Sequence, residues 1–298
     1  MQIGGARQRL PEWARKSATH YEALHHLKAG FRRLNLHTVC ESARCPNIHE
    51  CFARGAATFM ILGNLCTRGC GFCSVPKGSP AKHEMQLDPA EPANVARMAA
   101  DMQLRYVVIT SVNRDDLRDG GSAHFAETVR QMRWALPDAR VEVLTPDFCG
   151  DLQAVARVLD AGPHVFNHNI ETVPRLYGRV RPQADYQQSL DVLDFARRYR
   201  PDVLTKSGLM VGLGETGDEV RAVLRDLCAA GTAVATIGQY LRPTRRNLAV
   251  AAYIEPRQFD AYRDYGLSIG FQMVFSGPLV RSSYMADRVS EEARRSNH

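Results

Sequence analysis

Long apolar runs are missing from this chain of 298 residues. No stretch of about 18 or more consecutive apolar residues occurs, so the sequence predicts no transmembrane helix and no membrane partner. The amino terminus also lacks the charged-then-apolar pattern of an export signal. We therefore expect a cytoplasmic protein whose cysteines are reduced.

A concentrated basic stripe is missing as well. The formal net charge is +6, but arginine pairs such as Arg197–Arg198 and Arg245–Arg246 are scattered along the chain. Nucleic-acid-binding proteins usually cluster their positive charge, often with interleaved aromatic residues. The sequence therefore predicts no nucleic-acid partner, although a mildly positive surface can attract an acidic protein.

Cysteine, by contrast, is concentrated in one short part of the chain. Six of the eight cysteines form two groups of three, namely Cys40, Cys45 and Cys51, then Cys66, Cys70 and Cys73. A cubane iron–sulfur cluster takes four ligands, so three cysteines leave one iron open to another molecule. The pattern favours two [4Fe–4S] clusters.

Two other interpretations of the cysteines stay open at this point. Structural zinc takes four ligands, and His37 or His49 would complete a site with three cysteines. Disulfides suit short secreted chains rather than a chain of this length. The remaining cysteines, Cys149 and Cys228, lie in apolar or helical contexts, which predicts small core residues.

Strand-like and helical patterns alternate along most of the chain. Strands are predicted over residues 58–63, 105–112, 141–146, 165–170, 206–211 and 234–240. Helices are predicted over residues 91–103, 121–135, 150–161, 185–199, 217–230 and 258–265. This alternation predicts an α/β fold with a parallel sheet, as a barrel or partial barrel.

Polar residues follow several predicted strands at their carboxyl ends, where βα barrels carry their sites. The second cysteine group follows the first predicted strand directly. Thr110 and Ser111 begin a stretch that suits the ammonium and carboxylate of an amino acid, although the stretch also reads as a helix-capping loop. Asn169 and Glu171 alternate along a strand, so they share a face and are candidates to bind ribose hydroxyls.

A glycine-rich run extends from Lys206 to Thr216. It has neither the order of a phosphate-binding P-loop nor that of a dinucleotide-binding turn. As a strand and its turn into a helix, it lets a flat adenine approach the backbone, and Met210 would line that pocket. His168 alternates away from Asn167 and Asn169, which predicts a structural histidine.

Taken together, these motifs resemble the lipoyl synthase family of radical S-adenosylmethionine (SAM) enzymes. Many radical SAM enzymes share the Cys66-x3-Cys70-x2-Cys73 spacing with Phe72 before the last cysteine. The first cysteine triplet and the carboxyl-terminal Arg281-Ser-Ser-Tyr284 narrow the resemblance to lipoyl synthases. The chain departs from the family at Asn247, where histidine is more usual.

The resemblance implies a role for each motif. The second cysteine triplet would hold the [4Fe–4S] cluster that binds and cleaves SAM. The first triplet, together with Ser283, would hold an auxiliary [4Fe–4S] cluster that is consumed as the sulfur donor. The expected SAM contacts are Phe72, Thr110, Ser111, Asn169, Glu171 and Met210.

The resemblance also implies the architecture, the reaction and the partners. The expected fold is a partial (β/α)6-type TIM barrel over residues 58–270. An amino-terminal extension, residues 1–57, and a carboxyl-terminal segment, residues 271–298, would cover the barrel mouth. The reaction would insert two sulfur atoms at C6 and C8 of an octanoyl group on a lipoyl domain or H-protein. The other expected partners are an electron donor such as ferredoxin or flavodoxin and an iron–sulfur carrier for cluster repair.

Two rival functions can be separated from this one. A sulfur-inserting enzyme that resembles biotin synthase would lack the first cysteine triplet and the Ser283 ligand. A zinc-stabilised nucleic-acid-binding protein would contain zinc and no sulfide.

Overall fold

The computed structural model describes residues 11–14, 30–39, 47–53, 55–83 and 85–283. Within them, eight strands form one sheet in chain order. The strands are His37–Thr38 (β1), Ala56–Ile61 (β2), Tyr106–Ser111 (β3), Arg140–Leu144 (β4), Val165–Asn167 (β5), Leu204–Val211 (β6), Val234–Gln239 (β7) and Met273–Gly277 (β8). β1 pairs antiparallel with β2, and all the later neighbours pair in parallel.

At least one helix lies in each connection between the parallel strands. The α-helices are Ile48–Ala53 (α1), Glu91–Asp101 (α2), Ser122–Ala135 (α3), Leu152–Asp160 (α4), Tyr177–Val180 (α5), Tyr186–Tyr199 (α6), Gly217–Ala229 (α7) and Pro256–Ser268 (α8). The repeated strand–helix unit builds a partial barrel, which confirms the predicted fold class. None of the helices in the described ranges is both long and apolar enough to cross a bilayer.

Local sequence determines where several helices begin. Thr216 caps α7 in a capping box, in which its hydroxyl accepts from the Glu219 amide and the Glu219 carboxylate accepts from the Thr216 amide. Asp151 and Asp185 accept backbone amides at the starts of α4 and α6. These side chains use donors that a helix start otherwise leaves unpaired. The local sequence therefore specifies the residues at which α4, α6 and α7 begin.

The core lies on both faces of the sheet. Every residue of β2 and of β7 is buried, as expected for parallel strands that are covered on both sides. One large apolar cluster, which includes Phe59 and Phe125, packs around β2 to β4, and a second, which includes Leu224 and Phe259, packs around β6 and β7. This burial explains why the strands appear in the sequence as near-continuous apolar runs.

The six predicted strands and six predicted helices are all present, with ends shifted by at most three residues. The sequence analysis predicts neither α1 nor the two outer strands β1 and β8. β1 has only two residues, and β8 is only half-buried over its last three, so neither shows a clear periodic signal. Each outer strand comes from one of the two predicted extensions.

A buried charge pair lies inside the barrel. Lys206 Nζ donates to both carboxylate oxygens of Glu142, at 2.9 and 3.0 Å, and neither side chain is exposed. Glu142 also accepts from the Tyr106 hydroxyl at 2.7 Å and from the Asn167 amide at 2.9 Å. Buried charges need this degree of pairing. The inward-facing Asn167 therefore belongs to a structural network.

We predict that Lys206→Met destabilises the protein by roughly 3–5 kcal/mol, because it leaves the Glu142 carboxylate buried without a counter-charge. The free energy of unfolding of the cluster-free protein in urea measures this effect. The double variant Lys206→Met/Glu142→Leu is expected to recover much of the loss, since both charges are then gone. A single variant as stable as the original protein would contradict the prediction.

Candidate functional site

The loop that follows β2 carries three thiols at the carboxyl edge of the sheet. Cys66, Cys70 and Cys73 are each half-buried. The backbone amide of Asn113 donates to Cys66 Sγ at 3.3 Å, and the backbone amide of Val75 donates to Cys73 Sγ at 3.5 Å. Hydrogen bonds of this kind favour the thiolate form of a cysteine, which is the form that binds metals.

The electrostatics of these thiols place them in one environment. Burial raises the pKa of Cys70 and raises that of Cys73 to about 11. Cys66 and the Glu171 carboxylate raise both pKa values further, whereas Arg181 lowers that of Cys70. Several anions in this pocket are therefore unfavourable on their own. The pocket fits a centre that brings positive charge, as an iron–sulfur cluster does.

The spacing of possible ligands also bears on the kind of centre. Within the described ranges, no three side chains of His, Cys, Asp or Glu are arranged to hold a single metal ion. Thiolates on one Zn²⁺ converge at bonds of about 2.3 Å. A cubane binds one cysteine on each iron, so it accepts thiols that stand further apart. Iron, zinc and sulfide analysis of the protein would separate these two kinds of centre.

Arg68 fixes the cysteine loop to the next two strands. Its guanidinium binds Asp115 at 2.8 and 2.9 Å and Asp147 at 2.7 and 2.8 Å. Burial opposes ionisation of Asp147, but the hydrogen bonds and the positive charge of Arg68, with smaller contributions from His168 and the Cys149 amide, together outweigh burial and lower the pKa of Asp147 to about 2. This two-carboxylate clamp holds residues 66–70 against the ends of β3 and β4.

Glu171 and Asn169 meet where the carboxyl-terminal segment reaches the barrel. The prediction that Asn169 and Glu171 alternate along a strand is wrong, because β5 ends at Asn167 and Glu171 has a left-handed backbone conformation with φ of 65°. The Asn169 amide nevertheless donates to Glu171 Oε1 at 3.0 Å and to Ser282 Oγ at 2.7 Å. Burial raises the pKa of Glu171, although Arg181 and Asn169 partly oppose the effect.

Gly208 makes this close approach possible. A Cβ at Gly208 would lie 2.4 Å from Thr236 Oγ1 and 3.0 Å from Asn169 Oδ1. Contacts below 3.0 Å force a neighbour to move, so a side chain at this position would displace the polar groups around it. The missing side chain at Gly208 thus leaves room for Thr236 and Asn169 at the site.

The predicted SAM contacts have different surroundings. Ser111 Oγ and Asn169 Oδ1 are buried and have no hydrogen-bond partner among the described residues, which suits groups that await a ligand. The Met210 amide donates to Glu171 O at 2.9 Å, so Met210 lies beside this pair. Thr110 instead donates its hydroxyl to Leu144 O at 2.9 Å. Phe72 packs against the edge of the second apolar cluster.

The predicted auxiliary site is only partly described. Cys40 and Cys45 lie outside the described residues, whereas Cys51 lies in α1 and its amide donates to Asn47 O at 3.0 Å. The Asn47 side chain in turn donates to Leu279 O at 2.7 Å. Four residues further on is the half-buried Ser283, directly after the Ser282 that accepts from Asn169. The helix with Cys51 and the segment with Ser283 are therefore linked at the barrel mouth.

Comparisons with known proteins agree with this geometry. A family described as the radical SAM superfamily matches residues 60–227, and one described as the N-terminal domain of lipoyl synthase matches residues 2–45. The lipoyl synthase of Rubrobacter xylanophilus is 54% identical over 96% of this chain and 88% of its own length. That of Caldanaerobacter subterraneus is 53% identical over 94% and 96%. The chain belongs to the lipoyl synthase family.

Solved structures support the fold of this lipoyl synthase family member. Coproporphyrinogen III oxidase from Escherichia coli, a radical SAM enzyme, superposes with a TM-score of 0.54 at 14% identity. The match covers 75% of this chain and 56% of that one. At this identity the likeness concerns the fold alone, and it agrees with the predicted radical SAM barrel.

Three residues that contact the candidate site of this radical SAM enzyme are missing from the sequence-based predictions. Arg68 clamps the cysteine loop, and the buried Arg181 donates to Asn169 O at 2.9 Å. The Asn247 amide donates to Cys73 O at 2.8 Å and to Gly71 O at 3.3 Å. Asn247 shows in the sequence only as a departure from the family pattern. The two arginines carry no periodic or motif signal of their own.

The prediction for Cys149 is wrong, whereas the surroundings of His168 agree with a structural histidine. Cys149 is exposed, and its thiol donates to Asp115 Oδ1 at 3.3 Å, because it lies in a tight turn after β4 with φ of 53°. Cys228 packs half-buried beside the second apolar cluster, as expected. His168 is buried, and its Nδ1 lies 2.9 Å from Thr145 O. Burial lowers the pKa of His168 to about 4, so the imidazole is neutral.

We predict that Asp147→Asn lowers the free energy of unfolding at pH 7 by roughly 2–3 kcal/mol. A carboxyl group whose pKa falls from about 3.9 in the unfolded chain to about 2 in the folded protein stabilises the fold above pH 4. That contribution is lost as the pH falls towards 2. Urea unfolding of the cluster-free protein between pH 7 and pH 2 should show the difference shrinking.

Asp138→Asn is a suitable control for this prediction. Asp138 is exposed, so its substitution should change stability little at any pH in that range. A stability loss in Asp147→Asn that stays constant down to pH 2 would argue against the clamp as its cause.

Proposed function

We propose that this lipoyl synthase family member binds two [4Fe–4S] clusters through named residues. Cys66, Cys70 and Cys73 would hold the cluster that binds SAM. The auxiliary cluster would be held by the residues Cys40, Cys45, Cys51 and Ser283. The observation that carries the proposal is the hydrogen bonding of Asn169, whose side-chain amide donates to Glu171 Oε1 at 3.0 Å and to Ser282 Oγ at 2.7 Å, directly before Ser283. The negative charge of Glu171 also raises the pKa of Cys70 and of Cys73, which is consistent with a position near the cysteine loop.

The chemistry that such a site supports is radical sulfur insertion. When bound, the clusters and SAM supply a 5′-deoxyadenosyl radical that abstracts hydrogen at C6 and C8 of an octanoyl group, and sulfur that replaces it. The protein's own residues position the reactants and exclude water. Arg68 and Asn247 hold the cysteine loop from two sides. These bonds fix the positions of its three thiols relative to Glu171.

The SAM contacts are assigned from buried polar atoms that have no hydrogen-bond partner among the described residues. Ser111 Oγ and Asn169 Oδ1 are buried acceptors or donors that a bound amino acid or ribose would satisfy. Glu171 lies beside Asn169 and would add a second ribose contact. Phe72, Thr110 and Met210 would frame the adenine and methionyl parts of SAM, and the Thr110 hydroxyl is held by its hydrogen bond to Leu144 O.

Ser283 would be the least tightly bound ligand of the auxiliary cluster. A hydroxyl oxygen is a harder and weaker partner for iron than a thiolate. Ser283 would therefore hold its iron less tightly than the three cysteines hold theirs, which suits a cluster that would serve as the sulfur donor. The link from Asn47 to Leu279 would hold this segment in place.

The partners follow from this reaction. We propose an octanoylated lipoyl carrier protein, of the lipoyl domain or H-protein type, as the substrate. A one-electron donor such as ferredoxin or flavodoxin would drive SAM cleavage, and an iron–sulfur carrier would rebuild the auxiliary cluster. All of these partners would meet the enzyme in the cytoplasm.

The proposed function is tested by anaerobic incubation of the cluster-loaded protein with SAM, a reductant and an octanoylated carrier peptide. Mass spectrometry of the peptide should show replacement of two hydrogens by two sulfur-containing groups. Triple substitution of Cys66, Cys70 and Cys73 by alanine is the control that should abolish SAM cleavage. Continued SAM cleavage without any sulfur gain in the peptide would refute the proposed reaction.

We predict that Ser283→Ala keeps SAM cleavage near its original rate and lowers sulfur insertion at least about tenfold, because only the auxiliary cluster loses a ligand. Both products can be quantified in one reaction, as 5′-deoxyadenosine and thiolated peptide. Ser268→Ala, an exposed serine of α8, is the control and should leave both unchanged. Loss of both clusters from Ser283→Ala would contradict the assigned role.

A further inference from the structure

The surface around the cysteine loop is built from three segments that contain basic residues but no aspartate or glutamate. These segments, which we name the basic collar, are residues 66–83, 174–184 and 240–254. Backbone hydrogen bonds join them at one point. The Gly71 amide donates to Val180 O at 2.9 Å, and the Leu248 amide donates to Gly71 O at 3.0 Å. The positive charge of the three segments therefore gathers around the loop.

Six cations of the basic collar face solvent. The exposed ones are Lys77, Lys82, Arg179, Arg242, Arg245 and Arg246. Within the described ranges, none of the six takes part in an ion pair, since the only partners of Arg242 are backbone carbonyls. The other charges of the collar are compensated or inaccessible: Arg68 and Arg175 are ion-paired, and Arg181 is buried. The surface thus carries uncompensated positive charge.

The geometry places this charge beside the proposed cluster ligands. Asn247 follows Arg245 and Arg246 in the chain and donates to the carbonyl of Cys73. Its own Oδ1 accepts from the Thr244 hydroxyl at 2.6 Å, so the short segment is fixed on the loop. On the other side, Lys77 Nζ lies 3.1 Å from the position that a Cβ at Gly69 would take. The collar therefore flanks the loop on two sides.

One exposed acidic side chain beside the cysteine loop, Asp115, has its charge matched. Its carboxylate accepts from the Thr67 hydroxyl and is bound by Arg68. A partner that approaches the loop from solvent therefore meets the uncompensated cations of the collar.

We propose that the basic collar is the docking surface for an acidic one-electron carrier protein, and this proposal rests on the proposed function. Each SAM cleavage consumes one electron at the cluster of the cysteine loop. One electron would leave the reduced carrier, which is oxidised by one electron, and enter the cluster, which is reduced by one electron. No bond or proton changes place in this step. Complementary charge would speed the encounter and orient it.

The octanoylated carrier protein is the less suitable occupant of this surface. Its acyl chain would have to reach the space between the two proposed clusters, and Ser282, directly before the proposed ligand Ser283, contacts Asn169. The collar instead contacts the cysteine loop at Gly71 and at Cys73 O. An electron carrier needs only to come close to this loop.

The experiment compares reduction of the cluster-loaded protein by two reductants in stopped flow. Arg245→Glu/Arg246→Glu should slow reduction by flavodoxin hydroquinone at least about tenfold at low salt. Reduction by reduced methyl viologen, a small cation, should not be slowed. Added salt should slow the original protein with flavodoxin and affect the variant much less. Binding of oxidised flavodoxin to the cluster-free protein, by calorimetry, should weaken in parallel.

The control is Arg197→Glu/Arg198→Glu, a matched adjacent pair on α6, which should behave like the original protein with both reductants. Unchanged flavodoxin kinetics in the collar variant would overturn the proposal, as would equal slowing by both reductants. A raised KM for the octanoylated peptide with normal flavodoxin reduction would overturn it in favour of the carrier protein. Failure of the proposed function is distinct, since SAM would then remain uncleaved with methyl viologen in every variant.

Discussion

The cost of holding several thiolates beside a half-buried carboxylate is the constraint on which this site depends. Cys70 and Cys73 both have raised pKa values because they are buried, and Glu171 adds negative charge to the same pocket. Such a pocket is unfavourable for its own ligands until positive charge is supplied. The clamps that hold the loop are therefore needed to keep the thiols together. Arg68 serves this purpose from the side of β3 and β4, and Asn247 from the side of β7.

The packing of the sheet offsets the cost of the site, because the site lies only at the edge of this well-packed sheet. Parallel strands that are buried on both faces bring their carboxyl ends to one rim. The cysteine loop and Asn169 come after strands that end at that rim. Ser111 and Met210 lie within the last two residues of β3 and β6. The deeper interior has its own charge pair, Lys206 and Glu142, which uses Asn167 and leaves Asn169 available for the site.

Much of this architecture can be predicted from the sequence, because its signals are local. Apolar runs mark the six inner strands, and cysteine spacing marks the loop that follows the first of them. The cross-links of the site carry no local signal. Asn247 binds the carbonyl of Cys73 across 174 positions of the chain, and Arg68 reaches Asp147 across 79. At Cys149 the local signal misleads. Its neighbours in the sequence are apolar, but it lies in an exposed turn after β4.

The central claim is that the three thiols of the cysteine loop bind one cluster while Ser283 binds another across the barrel mouth. An anaerobic crystal structure of the cluster-loaded protein with SAM tests it most directly. The account predicts one cubane on Cys66, Cys70 and Cys73, with its fourth iron bound by SAM, and a second cubane with Ser283 Oγ on an iron. A single zinc ion on the loop, or a Ser283 hydroxyl that touches no iron, would contradict it.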